Sequence, residues 1–173
     1  MLTGVNRFRR APRLQGILWL GLVGVSALVA GAAPPSPTPA PWQEGAAGFE
    51  RALDDAISGD EPLVVYFYTD WCGYCRQLER TVLYRPETEA YLAGLPRVRI
   101  NPEAGDSERA IARRYGVNSY PSLFLHPGPG KQIKRLSGRV RRDGSWQMQT
   151  PAEFIDTVQS FIESAEPIPS NSR

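Results

Sequence analysis

The chain is poor in the residues from which metal centres are built. Among its 173 residues there are two cysteines, one histidine and two methionines. A zinc site takes about four ligands, so Cys72, Cys75 and His126 do not supply one. His126, where an expected strand runs into a turn, reads as a surface histidine, and no metal is expected. An excess of charge of one sign is missing too. Arg7, Arg9, Arg10 and Arg13 all precede residue 34, a stretch without a single acid. Of 20 basic residues, 16 therefore face the 18 acids in the remainder, a balance of about −2. Such a domain has no electrostatic reason to bind nucleic acid. The one basic cluster, RLSGRVRR at 135–142, reads as a solvated loop. No internal repeat is visible. An apolar fraction of 42% and a charged fraction of 22% suit a globular domain able to bury a core.

Long apolar runs are confined to one place. Residues 16–33, GILWLGLVGVSALVAGAA, follow the basic segment 6–15. As a helix, such a run would span about 27 Å, just short of a hydrocarbon core of roughly 30 Å. Small residues at 30–32 suit signal peptidase. Residues 1–33 are thus a cleaved signal peptide or an uncleaved signal anchor, and both place everything after residue 33 across the membrane. No cysteine lies near the cleavage region, which excludes a lipid-modified cysteine anchor, and Arg9-Arg10 alone does not make a twin-arginine signal. The expected location is extracytoplasmic, either periplasmic or at the outer face of the cytoplasmic membrane, where disulfides persist.

Residues 34–44 begin with PPSPTPAP, a stiff extended spacer. A folded domain over 45–166 and a disordered tail at 167–173 follow. Within the domain an apolar stripe predicts a helix over 46–58, and LVVYFYT at 63–69 predicts a strand covered on both faces. A helix over 72–84, a helical turn over 86–94 and a strand over 97–101 come next. Then come a helix over 106–116, capped by Asp106 or Ser107, and strands over 121–126 and 131–138 joined by PGPG. The last helix, over 151–164, opens with Thr150, Pro151 and Glu153 as a capping box. A crossover makes the first two strands parallel and a hairpin makes the last two antiparallel. The expected fold is α/β, a mixed four-stranded sheet flanked by helices.

The two cysteines are neighbours in WCGYC, residues 71–75. The pair could be half of a zinc site, a structural staple or a redox couple. Ligands for zinc are too few, and a staple would close so small a loop that it hardly restricts the unfolded chain. Redox exchange is therefore favoured. Cys72 stands where a strand hands over to a helix, so backbone N–H groups and the positive end of the helix dipole favour its thiolate, the attacking species. Cys75, one turn on, shares its face and can close a disulfide with it. Being further inside the helix, Cys75 should be the more buried resolving thiol and Cys72 the nucleophile. Gly73 keeps the approach open, and Trp71 and Tyr74 supply flat walls. Asp70 is a solvated charge whose field slightly opposes the thiolate.

WCGYC after a buried strand, with YGVNSYPSLFL some forty residues later, resembles the thioredoxin family. Trp71, Cys72, Cys75, Tyr115, Gly116, Pro121, Ser122 and Gly138 match its pattern, and the likeness covers about residues 45–165, closest to its exported or membrane-tethered branch. The resemblance implies a thioredoxin fold and a thiol–disulfide oxidoreductase that needs no cofactor. It also implies a cis Tyr120–Pro121 bond that leaves backbone atoms of Tyr120 free for an extended substrate strand. Implied partners are protein dithiol or disulfide substrates and an upstream electron-transfer protein, membrane-bound or soluble, with the chain itself monomeric. Reductase is the favoured direction. An oxidase, an isomerase, or a redox-inactive partner-binding or metal-carrier module are the alternatives. Two positions depart from the pattern. The family's buried aspartate, five residues before the tryptophan, is Tyr66 here, and its proline between the cysteines is Tyr74. The first puts the family's proton route to the resolving cysteine in doubt. Tyr66 reads as core packing, with its hydroxyl or a water as the substitute route.

Overall fold

The computed structural model describes residues 41–168. The expected signal or anchor, the spacer up to residue 40 and residues 169–173 of the tail lie outside the described residues. Among those described, no helix is long and apolar enough to cross a membrane.

The chain builds outward from β2 (Leu63–Phe67), whose five residues are all buried. Successive strand side chains point to opposite faces, so one apolar run serves two cores. Leu63, Val65 and Phe67 pack with Phe49, Ala52 and Ala56 of α1 (Gly45–Gly59) and with Ile111 and Ala112 of α4 (Asp106–Arg114). Val64 and Tyr66 join Leu78 of α2 (Gly73–Leu78), Leu92 of α3 (Pro86–Leu92) and Phe154 and Val158 of α5 (Pro151–Glu163). Helix α5 starts with the expected capping box, Thr150 accepting from the Glu153 amide and Glu153 accepting from the Thr150 amide. Helix α4 departs from expectation. Its cap is Gly105, with no side-chain bond, while the Glu108 carboxylate accepts the Ala46 amide at 2.9 Å.

The sheet has five strands rather than four, in the order β1-β3-β2-β4-β5. β2 is parallel to β3 (Arg97–Ile100) and antiparallel to β4 (Ser122–His126), which is antiparallel to β5 (Lys134–Leu136). The additional strand, β1 (Gln43–Glu44), lies parallel to β3 and takes the last two residues of the expected spacer into the sheet. Glu44 is fixed there by Arg99, at 2.6 Å. At the other end, Pro167 bridges Lys131 and the Ile168 amide donates to Gly130 at 2.8 Å, so the expected tail begins paired with the β4–β5 turn.

The basic cluster is not a loop. Its first two residues finish β5, and its last four form β6 (Arg139–Arg142), which pairs with β7 (Ser145–Met148) as a separate two-stranded sheet. Asp143 and Gly144 turn this hairpin with φ of 49° and 77°, the double positive that a two-residue type I′ turn requires. Nor is the helix after Cys72 uniform. α2 passes at Glu79 into a π-helical turn, Glu79–Leu83, closed by the Tyr84 amide on the Glu79 carbonyl.

Candidate active site

Cys72 caps α2. Its amide donates to the Thr69 carbonyl, and its Sγ accepts the Cys75 amide at 3.1 Å. The two cysteines form a disulfide across 5.2 Å between Cα atoms. Both are buried, Cys72 at 4% exposure and Cys75 at 1%, so access is at Cys72 and slight. A Cβ on Gly73 would meet nothing within 4 Å; the open side there faces solvent. Trp71 and Tyr74 are well exposed, at 64% and 58%, and they stand among different neighbours. The Trp71 indole N–H donates to the Glu103 carboxylate at 3.0 Å, and its ring meets Tyr120 edge-on at 6.1 Å. The Tyr74 ring lies under the Arg139 guanidinium, 5.4 Å away. Asp70 is exposed, accepting Asn101 at its carboxylate and Arg76 at its carbonyl.

The Tyr120–Pro121 peptide is cis. Tyr74, Tyr120 and Pro121 share one groove of about 410 Å³, closed on the far side by Gly138, Arg139 and Met148. Trp71, Gly73 and the cysteines are not among its lining residues; Trp71 is joined to it through Tyr120. Behind the disulfide, Cys75 opens instead on a smaller recess of about 260 Å³ that it shares with Asp70, Glu79 and Arg99.

That recess contains the group missed in the sequence. Glu79 stands four residues after Cys75, so the helix places both on one face. Its Oε1 accepts the Tyr66 hydroxyl at 3.1 Å. Tyr66 is buried at 1% exposure, between Trp42 edge-on and Tyr68 stacked. Burial, then the Glu79 charge, push its phenol well above the ordinary range. Tyr66 therefore keeps its proton and donates it in a hydrogen bond, and cannot itself serve as a base near neutral pH. A spacing of four from Cys75 was the available signal for Glu79. His126 also differs from expectation. It is half-buried, 2.5 Å from the Tyr115 hydroxyl, and burial lowers its pKa.

Helices on both faces of a mixed sheet, with a Cys-x-x-Cys disulfide opening the helix after the central strand, define a protein of the thioredoxin fold. The chain belongs to the thioredoxin-like family, residues 49–149 matching the thioredoxin-like domain. It is 35% identical to the thiol:disulfide interchange protein DsbD 1 of Pseudomonas aeruginosa over 101 residues, 56% of this chain and 17% of that protein. A thioredoxin of Alicyclobacillus acidocaldarius is 29% identical over 109 residues, 62% of this chain and 91% of that protein. The oxidised C-terminal domain of Neisseria meningitidis DsbD is similar in fold, with a TM-score of 0.50 at 23% identity, covering 69% of this chain and 98% of that one. The chain spans between 17% and 24% of the length of the first curated relatives it matches.

Proposed function

We propose that the chain is an extracytoplasmic thiol–disulfide oxidoreductase that reduces disulfides in envelope proteins. Residues 1–33 act as its export signal or membrane anchor, residues 34–44 are the spacer, the last two of them joining the sheet as β1, and a monomeric domain over 45–166 carries the chemistry without a cofactor. One observation carries the reading: the Cys72 Sγ at the start of α2 accepts a backbone amide and is bonded to Cys75 one turn on. The same amide stabilises a thiolate when the pair is reduced.

In the reducing direction the Cys72 thiolate attacks one sulfur of the substrate disulfide. A Cys72–substrate bond forms, the substrate bond breaks, and the released substrate sulfur takes a proton. Cys75 then gives its proton to Glu79 and attacks the Cys72 Sγ. This forms the Cys72–Cys75 disulfide and frees the second substrate sulfur as a thiolate. The substrate gains two electrons and the protein loses two; an upstream protein dithiol restores them. Tyr66 holds Glu79 in place, and Tyr120 and Pro121 offer the groove in which an extended substrate lies beside Trp71 and Tyr74.

Insulin reduction by the wild type and by Cys72→Ser tests the activity. We expect turnover in the first and none in the second; equal activity in both would remove the enzyme reading and leave a binding module. A midpoint potential for the pair near about −270 mV is expected for a reductase, and one near about −120 mV would reverse the direction.

A further inference from the structure

The β6–β7 hairpin forms one wall of the groove and changes its charge. Arg139 is held between two exposed rings, 5.4 Å from Tyr74 and 5.8 Å from Trp146, with a bond from its Nη2 to the Trp146 carbonyl at 3.4 Å. Arg135 lines the same groove, donating to the Ser122 hydroxyl at 2.9 Å. No aspartate or glutamate is among the lining residues. Ion pairs among the described residues engage Arg97, Arg99, Arg109 and Arg142. Arg135 and Arg139 are in none of them. The Arg142 pair, to Glu153 of α5, and a bond from the Gln149 amide to the Gly138 carbonyl at 3.0 Å fasten the hairpin to the domain. Across the disulfide both signs are present, with Glu103 at Trp71 and Asp70 before it, and with Arg76 bonded to the Asp70 carbonyl. The domain as a whole is slightly acidic, so the groove's positive charge is local.

We infer that this groove selects protein substrates in which an acidic extended segment flanks the reactive disulfide. The inference deepens the oxidoreductase reading and rests on it. An unpaired guanidinium fixed between two rings is already oriented for a carboxylate, which reduces the ordering cost of binding. The lining of the groove carries positive charge alone, whereas the other side of the disulfide carries both signs, so the carboxylates of the segment lie toward the groove. The aromatic rings of Tyr74 and Trp146 accommodate apolar neighbours in the segment.

Three short peptides, each closed by one disulfide, test it. They are identical except that the positions flanking the cysteines carry glutamate, glutamine or lysine. The second-order rate constant for reduction by the reduced protein is divided, for each peptide, by that for dithiothreitol, which removes the peptide's own reactivity. Two rim guanidiniums, with repulsion of lysine added, lead us to expect the glutamate peptide to exceed the lysine peptide by about tenfold at low salt, with glutamine between. The ratio should shrink towards one as salt screens the pair. It should collapse or invert in Arg139→Glu, and persist in Arg113→Glu, which makes the same charge change on the exposed end of α4. A ratio near one in the wild type, a salt-insensitive ratio, or an equal collapse in Arg113→Glu would overturn the inference while leaving the oxidoreductase reading intact. Reduction of none of the peptides would sink that reading, and this one with it.

Discussion

Replacing Glu79 by glutamine separates two effects that the carboxylate would have on Cys75 in the proposed mechanism, and they have opposite signs. As a fixed negative charge it opposes ionisation of the neighbouring thiol. Side chains four apart on a helix lie about 5–6 Å apart at Cβ, and at an effective dielectric of about 20 two unit charges at 6 Å interact by about 3 kcal/mol. Glu79 is half-buried at the edge of a recess open to solvent, and solvent screening brings this to about 1 kcal/mol. Were the charge all that mattered, the substitution would speed the attack of Cys75 by severalfold. As a proton acceptor it works the other way, since loss of a positioned base costs roughly 10²–10⁴-fold in the step it serves. The second effect is larger, so the net expectation is slower breakdown of the mixed disulfide, by about twentyfold or more.

Glutamine keeps an oxygen that accepts the Tyr66 hydroxyl, so packing in the recess is preserved. The assay mixes reduced protein with excess peptide disulfide, quenches in acid at timed intervals, and measures the covalent Cys72–peptide adduct by mass. The adduct should be transient in the wild type and accumulate in Glu79→Gln, and raising the pH should shorten its life again as hydroxide takes over the proton. An adduct that breaks down as fast as in the wild type, or faster, refutes the assignment. It would leave Glu79 as a charge that the site tolerates.

Two further outcomes follow from the packing. A Cβ on Gly138 would run into the Leu78 side chain, which is fully buried behind Cys75; overpacking of this kind costs about 1–3 kcal/mol. Gly138→Ala should lower the urea midpoint without changing the slope, and an unchanged midpoint would mean that α2 yields. His126 is the chain's one histidine, and burial lowers its pKa from the ordinary 6.5. Its contribution to stability is therefore complete above pH 6.5 and is lost as pH falls through the lowered value, because the unfolded chain takes up the proton first. Unfolding free energies across that window should fall with acidity in the wild type and fall less in His126→Gln; parallel curves would refute it.

Local pattern makes most of the architecture legible in the sequence. An unbroken β-branched and aromatic run predicts β2 as a doubly covered strand, and Thr150, Pro151 and Glu153 predict the start of α5. What escaped depends on partners distant in the chain or on weak local signals. β1 is two residues long and is held by a register with Val98–Arg99 and by Glu44 on Arg99, 55 residues away, none of which periodicity can reveal. The β6–β7 hairpin was visible in principle, since Asp-Gly is a strong type I′ signal, but the density of arginine around it suggested a solvated loop. The π turn at Glu79 has no comparable sequence signature.

The two departures from the family pattern, Tyr66 and Tyr74, were plain in the sequence, yet their meaning depended on groups found only in three dimensions. Each is coupled to one of the features that had escaped. Tyr66, in place of a buried carboxylate, directs its hydroxyl to Glu79, which stands on the helix four residues after Cys75 and lines the same recess. Tyr74, in place of proline, puts an aromatic face beneath Arg139 of the hairpin and lines the groove with it. The changes adjoin different hollows, one the recess with Glu79 and one the groove with Arg139. They should therefore be separable: Tyr66→Phe, which leaves Glu79 without its donor, should alter the lifetime of the mixed disulfide, whereas Tyr74→Pro should alter the choice among acidic, neutral and basic peptides. If each substitution moved both readouts equally, the division of the site into a proton side and a recognition side would be wrong.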